Sequence, residues 1–454
     1  MIRKRIIKII LVSLLVICFI PTSISNAKTL TQSIDELMRV FTIKTDKKIS
    51  EVTSIEYKDK IYLSTEDISK VFDKKVVKEN NTINIIDDKV QEGNIKIKDN
   101  FLLNGFYAYG SSDQFEEFSR SKTLSNFNVL SFGWSRIDKV GKKVELVFDK
   151  SEYRVPSGYD KTLKITEETS ISSQLMVFVN DNNNRNDYFK DIFKDMDRIT
   201  TDIANAVNGK NKEYAYLRFN GVTLDFENVN VEDQDQFILF LKKLRVKLGK
   251  DKKIYVTLPS VKYYGYYKYK EIFNVVDYVI LMEHDFDLKK TKSIYSDISK
   301  SPLSPINAIK KDIETLINKV GDDNKNKILL QICFGTSQWI GDKDSFMTKY
   351  TPQYYKVYNR ICYELDKKIP KEKLLYYNDL YKNPYLIYIN DKKETNYIWY
   401  ENWKSVLAKI KLANDYDLGG ISLWKIGSIP NYYGKYGKVA GFDIWIKLCE
   451  LLGR

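Results

Sequence analysis

Asp225 and Glu227 sit two residues apart in the run FNGVTLDFENV, Phe219 to Val229, whose intervening positions are apolar. On a β-strand, residues two apart face the same side, so Thr223, Asp225 and Glu227 share one face and Val222, Leu224 and Phe226 the other. Two carboxyls held this close share one proton at neutral pH, because each charge raises its neighbour's pKa. One member is then an available acid and the other a fixed negative charge, which is the equipment of acid–base catalysis. The same alternation also fits the wet face of an antiparallel sheet, and spacing alone leaves both readings open. Other chemistries are bounded more tightly. His284 is the one histidine of the chain, so a multi-histidine metal site is excluded and a Ser/His/Asp triad could use only that residue. Cys333, Cys362 and Cys449 are too widely spaced for a disulfide framework or a zinc knuckle, and no metal or cofactor is expected.

To act, the pair must stand at the end of a strand whose other face is packed. From Phe101 onward, short apolar strands alternate with helical stretches, the pattern of repeated βα units. Eight strands are predicted: Leu103 to Tyr109, Asn128 to Trp134, Gln174 to Val179, Gly221 to Glu227, Lys253 to Leu258, Asp277 to Met282, Ile328 to Phe334 and Gly419 to Trp424. Apolar residues at helical spacing follow, as in Phe237, Phe240, Leu241, Leu244 and Leu248 before Gly249, and Ile306, Ile309, Ile313, Leu316 and Ile317 before Gly321. Eight such units close a (β/α)8 TIM barrel, which places Asp225 and Glu227 at the C-terminal mouth of the fourth strand. The stretch 336–397 exceeds what a βα unit needs and is read as an insertion, with a helix near Tyr354 to Leu365 and three tyrosine-rich strands.

The central run resembles the strand-four signature of glycoside hydrolase family 18, written DxxDxDxE. Asp225 and Glu227 match its last two acids, Gly221 holds its usual place, and Asn228 is as in the branch of bacterial spore-cortex and cell-wall enzymes. Asn220 and Thr223 replace the first two acids, which puts in doubt the charge relay behind Asp225. The resemblance extends over 98–454, and the run YIWYENWKSVLAKIKLA ahead of the last strand is similar to the spore-cortex branch. It implies a retaining hydrolase of β-1,4 bonds after N-acetylglucosamine, with Glu227 as acid and then base and Asp225 orienting the substrate's own acetamide. Strand six ends Met282-Glu283-His284-Asp285, where the family has Met-x-Tyr-Asp. The resemblance therefore places Met282, His284 and Asp285 around the N-acetyl group, although a lone histidine at a strand end also fits an ordinary loop residue. Trp424, in GGISLWKIG, matches the tryptophan that floors the cleaved sugar; a core aromatic is the alternative. Thr223 and Tyr107 complete the predicted substrate-binding set. Trp134, Tyr263, Tyr264, Trp339 and Trp399 also lie at or just after strand ends, and some of them are expected to line a groove, since aromatic faces suit the apolar side of a pyranose.

Residues 1–27 read as a secretory signal: Arg3, Lys4, Arg5 and Lys8, the apolar run Ile9 to Ile20, then Ser25-Asn26-Ala27. An uncleaved anchor is the alternative. The chain carries a net charge of +13, and removing the four basic residues of that leader leaves +9. Such a charge favours polyanionic surroundings, which outside a cell are wall polymers and acidic glycans; no motif or basic helix supports nucleic acid. Residues 28–97 are short-stranded and charged and form a small α+β module, weakly similar to the copper-amine-oxidase-like appendage of secreted bacterial wall proteins; the resemblance implies a stalk or wall-binding role and no copper site. The expected protein is a monomer, secreted or associated with cell wall or spore, acting on an N-acetylglucosamine-containing glycan. Peptidoglycan of wall or cortex is preferred, chitin is the alternative substrate, and N-glycan cores rank below both. A family-18-like lectin without turnover is the alternative class.

Overall fold

The computed structural model describes most of residues 95–452, apart from 109–111, 120–123, 151–152, 181–187, 287–301, 342–347, 351–353, 367–374 and 430–438, together with the backbone of several strands between Met38 and Asp87. The chain divides into two compact units, Met1–Asn94 and Ile95–Arg454. In the first, Met38–Lys44, Ile49–Tyr57 and Lys60–Tyr62 form an antiparallel sheet, and Lys74–Glu79 pairs antiparallel with Thr82–Asp87. The helical part of the expected α+β module and the leader expected at 1–27 lie outside the described residues.

The second unit is a closed barrel. Its strands are β1 (Leu102–Tyr107), β2 (Val129–Val140), β3 (Ser172–Asn180), β4 (Gly221–Glu227), β5 (Lys253–Pro259), β6 (Tyr278–Met282), β7 (Ile328–Cys333) and β8 (Gly420–Trp424). Each pairs parallel with the next, and β8 returns to β1, so no edge of the barrel is left open. All eight predicted strands are present, within a few residues of their expected ends. β2 is the exception in length: it continues past Trp134 and pairs antiparallel with Lys143–Val147 across a turn in which Gly141 takes φ +63°. Gly221 opens β4 for a steric reason, since a Cβ there would lie 2.1 Å from the carbonyl oxygen of Lys253 and 2.3 Å from Oε1 of Gln174.

The two faces of β4 divide the core. Val222, Leu224 and Phe226 enter the outer hydrophobic core shared with the helices. The Phe226 ring lies 5.9 Å from that of Phe237 and 5.4 Å from that of Phe240, both on the helix α1 (Gln234–Leu248). Gly249, with φ +74°, ends α1, and Gly321, with φ +87°, ends α2 (Ile306–Val320), both as predicted. The inner face is more polar. Ser131 lies 2.8 Å from Thr223 and accepts from Asn104, which in turn accepts from Ser422, so one buried hydrogen-bonded layer ties β1, β2, β4 and β8 together. Above and around it lie Phe106, Met176, Tyr255, Ile280 and Leu329.

The insertion after β7 folds as a five-stranded antiparallel sheet, Thr348–Tyr350, Ser337–Gly341, Thr395–Trp399, Asn383–Ile389 and Leu375–Asn378 in spatial order, with the helix α3 (Tyr354–Asp366). It has its own small core of Tyr358, Ile361, Leu386, Tyr388, Ile398, Tyr400 and Phe442. One buried ion pair joins it to the barrel: Lys409, on the helix α4 (Trp403–Asp415), donates to both oxygens of Glu401 at 2.9 Å. Asn383 of the insertion and Ser405 of α4 donate to the same carboxylate at 2.8 and 2.6 Å. Among the described residues no helix is long and apolar enough to cross a membrane.

Lys409 is fully buried, so its removal leaves Glu401 charged and uncompensated in the interior. Lys409→Ala is expected to lower stability by about 3–5 kcal/mol in a urea titration; a loss under about 1 kcal/mol would show that the pair contributes little beyond an exposed one.

Candidate active site

Exposure rises along the inner face of β4. Thr223 is fully buried, Asp225 is buried, and Glu227 is half-buried at the mouth. Neighbouring strands complete the site because parallel pairing in register carries their side chains to the same height. Asn180, the last residue of β3, pairs with Glu227, and its side-chain amide donates a hydrogen bond to Glu227 Oε2. Thr257 of β5, one step beyond the Leu224–Val256 pairing, donates to Asp225 Oδ1 at 2.5 Å. His284, just past β6, lies with Nε2 2.6 Å from Gln331 Oε1 on β7 and Nδ1 3.0 Å from Asp285 Oδ2.

Electrostatics set the proton inventory. Burial pushes the Asp225 carboxyl above its ordinary range, against the lowering effects of the Thr257 hydrogen bond and of His284. Burial raises Glu227 further, and the charge of Asp225 adds to it, with His284 opposing. Two buried carboxyls two residues apart therefore hold one proton at neutral pH, and Glu227 is the one that keeps it. For His284, burial lowers the pKa, but Asp285, the hydrogen bonds to Asp285 and Gln331, and Glu227 together hold it above its ordinary value. The imidazole beside the two acids is thus biased toward its charged form relative to a free histidine. Among the described residues no group of three or more His, Cys, Asp or Glu could hold a metal ion.

The predicted site residues fall into two groups. Glu227, Asp225, His284, Asp285, Met282 and Trp424 converge on one end of the barrel. Met282 is half-buried in the inward register set by Tyr278 and Ile280, while the Asp285 side chain is 68 % exposed, and its backbone is left-handed with φ +56°. Trp424 is half-buried, its ring edge-on to Phe106 at 5.1 Å, and the peptide bond that follows it is cis. Two expectations are corrected. Tyr107 points outward, because the inward positions of β1 are Leu102, Asn104 and Phe106; its ring packs at 4.9 Å against Phe115 and 6.0 Å against Phe132 in the helix-facing core. Thr223 lies wholly buried below Asp225, where it bonds to Ser131 and supports the floor of the site without reaching the mouth.

Among the further aromatics, Trp134 is core, packed against Phe132 at 4.5 Å, and Trp399 is buried in the insertion, stacked on Tyr385 at 4.4 Å. Tyr263 remains exposed, next to Phe286 and with the Lys262 ammonium 4.9 Å from its ring centre. Asn220, at the motif's first acid position, sits ahead of β4 at the closed end and accepts from the Ser173 backbone N–H at 2.9 Å and from its hydroxyl at 3.2 Å. Five extended residues, about 16 Å, separate it from Asp225. Sequence reading missed Asn180, Thr257 and Gln331, and it marked Tyr264 only as an aromatic after a strand end, not by its bond to Asn228. Alternation within NVLSFGW-like strands marks such residues as inward-facing, but no local signal says which inward residue meets which acid across the barrel.

With this geometry in place, the comparisons are decisive for the family. Residues 103–428, well over half of the chain, match glycosyl hydrolases family 18, and the chain belongs to that family. A Bacillus subtilis protein named for a sporulation-specific glycosylase, YdhD, is 24 % identical over 214 residues, covering 46 % of this chain and 47 % of its own. The chain spans about half the length of the curated relatives it matches. In fold it is similar to the spore cortex-lytic enzyme SleL of Bacillus cereus, with TM-score 0.57 and 17 % identity over 77 % of this chain and 74 % of that one. It is equally similar to a chitinase of Chromobacterium violaceum, with TM-score 0.58 and 17 % identity over 78 % of this chain and 99 % of that one. Such distant structures speak for the fold alone.

The shared proton can be seen directly. Infrared difference spectra between the parent chain and Glu227→Gln at pH 7 are expected to show the loss of one protonated-carboxyl band. Loss of an ionised-carboxylate band in its place would show that Asp225 holds the proton.

Proposed function

We propose that the protein is a secreted retaining N-acetylglucosaminidase that cleaves β-1,4 bonds after N-acetylglucosamine in peptidoglycan, of cell wall or spore cortex, by substrate-assisted catalysis. The observation that carries this reading is the one-proton pair of Glu227 and Asp225 at the open end of β4. Glu227, protonated at rest, gives its proton to the departing glycosidic oxygen. Both carboxyls rise from one strand face, on one side of any sugar lying across the mouth, so neither is placed as a nucleophile on the opposite face, as the usual two-carboxylate retaining scheme would need. The substrate's own acetamide oxygen attacks the anomeric carbon, forming an oxazolinium ion. Asp225, kept charged by Thr257 and by the nearby imidazole, orients the acetamide N–H and stabilises the positive charge that develops. Glu227, now ionised, takes a proton from water, which opens the oxazolinium with net retention. His284, Asp285 and Met282 border the N-acetyl group, and Trp424 offers an apolar face to the sugar ring.

Peptidoglycan is favoured over chitin by the relatives named for sporulation and cortex lysis, by the basic mature chain and by the export signal read at 1–27. The N-terminal module is assigned to adhesion on the same polymer. Incubation of the chain with purified peptidoglycan, cortex fragments and chitin tests the substrate. Fragments ending in reducing N-acetylglucosamine from wall or cortex material are expected; release from chitin alone would make the protein a chitinase, and binding without fragments a lectin.

Glu227→Gln is expected to abolish hydrolysis, by a factor of about 100 or more, while leaving glycan binding largely intact. Undiminished turnover in that variant would end the mechanism. Activity is expected to be bell-shaped in pH, lost on the alkaline side as Glu227 gives up its proton and on the acid side as Asp225 gains one. Thr257→Val removes a bond that favours the charged form of Asp225, so the acid limb of kcat/KM should move to higher pH. An unmoved limb would show that Thr257 does not set the Asp225 charge.

A further inference from the structure

We propose that Asn180 is a positioning residue for the catalytic acid: it anchors Glu227 Oε2, assigns the transferable proton to Oε1, and is itself held by a hydrogen-bond chain that begins at Tyr264. This rests on the reading of Glu227 as the acid and base, and it adds a part that neither the family motif nor the paired carboxyls contain.

The chain has four members on three strand ends. Tyr264, in the loop after β5, donates its hydroxyl to Asn228 Oδ1 at 2.9 Å. Asn228 Nδ2 donates to Asn180 Oδ1 at 3.1 Å, and Asn180 Nδ2 donates to Glu227 Oε2. Asn228 directly follows Glu227 in a left-handed conformation, φ +65°, which asparagine tolerates better than most residues and which ends β4. Its side chain thereby comes back to β3 in place of continuing the strand alternation.

Each of the two amides uses both its ends within the chain, so the two orientations are coupled. Turning one amide alone would set donor against donor or acceptor against acceptor. Turning both would place the Asn180 carbonyl against Glu227, an arrangement that requires a proton on Oε2. When Glu227 is ionised only the donating orientation is available, because a carboxylate accepts and cannot donate. The ionised form is the one that must accept a proton from water in the second half of the reaction. Asn180 thus supplies a preformed N–H to that charge, against the burial and the Asp225 charge that disfavour it. In the first half, with the same N–H on Oε2, the proton resides on Oε1, to which no hydrogen bond within the described residues is made, and it is from there that it passes to the leaving oxygen. No proton travels along the amide chain; its members orient and polarise only.

The consequence is separable from a general structural role. Asn180→Ala removes a hydrogen bond to the charged form, so the alkaline limb of kcat/KM should move to higher pH while kcat at the former optimum falls by roughly ten- to a hundredfold, with KM little changed. Asn180→Asp, nearly isosteric, sets a further negative charge against Glu227 and should move the limb further in the same direction. Tyr264→Phe takes away the first donor and should give a smaller shift of the same sign. The three variants are compared with the parent and with Glu227→Gln on one soluble N-acetylglucosaminide, after thermal melts establish folding. A dead Glu227→Gln together with an unshifted alkaline limb in every folded Asn180 or Tyr264 variant overturns this inference and leaves the mechanism standing. Turnover in Glu227→Gln overturns the mechanism first. Should Asn180→Ala fail to fold, Asn180→Asp and Tyr264→Phe decide the matter by the same limb.

Discussion

The site is organised by the repulsion between two carboxyls that share one strand face. Burying a single acid raises its pKa; burying two within one step of the pleat prevents both from being charged at neutral pH. Three polar neighbours in the mouth answer this constraint, while the Asp285 charge adds to it. Thr257 donates to Asp225, Asn180 donates to Glu227, and His284, held by Gln331 and Asp285, acts to lower the pKa of both acids. The result is an asymmetric pair, in which the more exposed member keeps the proton and the deeper one keeps the charge. That asymmetry gives two carboxyls of nearly the same chemistry different protonation at neutral pH, and the proposed division into acid and stabiliser rests on it.

A closed parallel barrel suits this arrangement because its neighbours are in register. Donors on β3 and β5 reach acids on β4 at equal height, and the layer below, Asn104, Ser131, Thr223 and Ser422, is hydrogen-bonded across four strands. A polar layer of this kind is stable only when its members satisfy one another. The fixed floor then leaves the mouth residues to be positioned by single contacts. The insertion is tied to the same body by the buried Glu401 and Lys409 pair, whose bonds reach Asn383 on one side and α4 on the other.

Much of this was legible in the sequence. Period-two runs bounded by polar residues located all eight strands, and glycines after periodic apolar stretches located the ends of α1 and α2, since these signals depend on local burial. The extension of β2 was missed because Arg136-Ile-Asp-Lys-Val alternates charge with apolar residues and leaves the barrel wall to form a hairpin. Tyr107 was misassigned through parity: position relative to a strand end predicts nearness to the mouth, but a shift of one residue sends the ring to the helices. Asn180 and Thr257 were not legible as site residues, and Tyr264 was legible only as one of several strand-end aromatics, because their contacts lie 32 to 47 residues away in sequence.

The departures from the family signature take on a different meaning once the contacts are known. Asn220 and Thr223 stand where two further acids are usual, and their loss would leave Asp225 without a relay if the relay had to come from its own strand. Asn220 lies at the opposite end of the barrel and holds the start of β3 to that of β4, so its identity bears on strand register. Thr223 lies directly beneath Asp225 yet turns to Ser131. The hydrogen bond that Asp225 needs arrives from the side, from Thr257. A neutral hydroxyl in that position changes the chemistry. An acid beneath Asp225 would compete for its charge and could take up its proton, whereas a threonine hydroxyl does not ionise near neutral pH and does neither. The Thr257 bond and the nearby imidazole then act on Asp225 against the upward push of its burial, and the proposed division of labour, with protons moved by Glu227, rests on that balance.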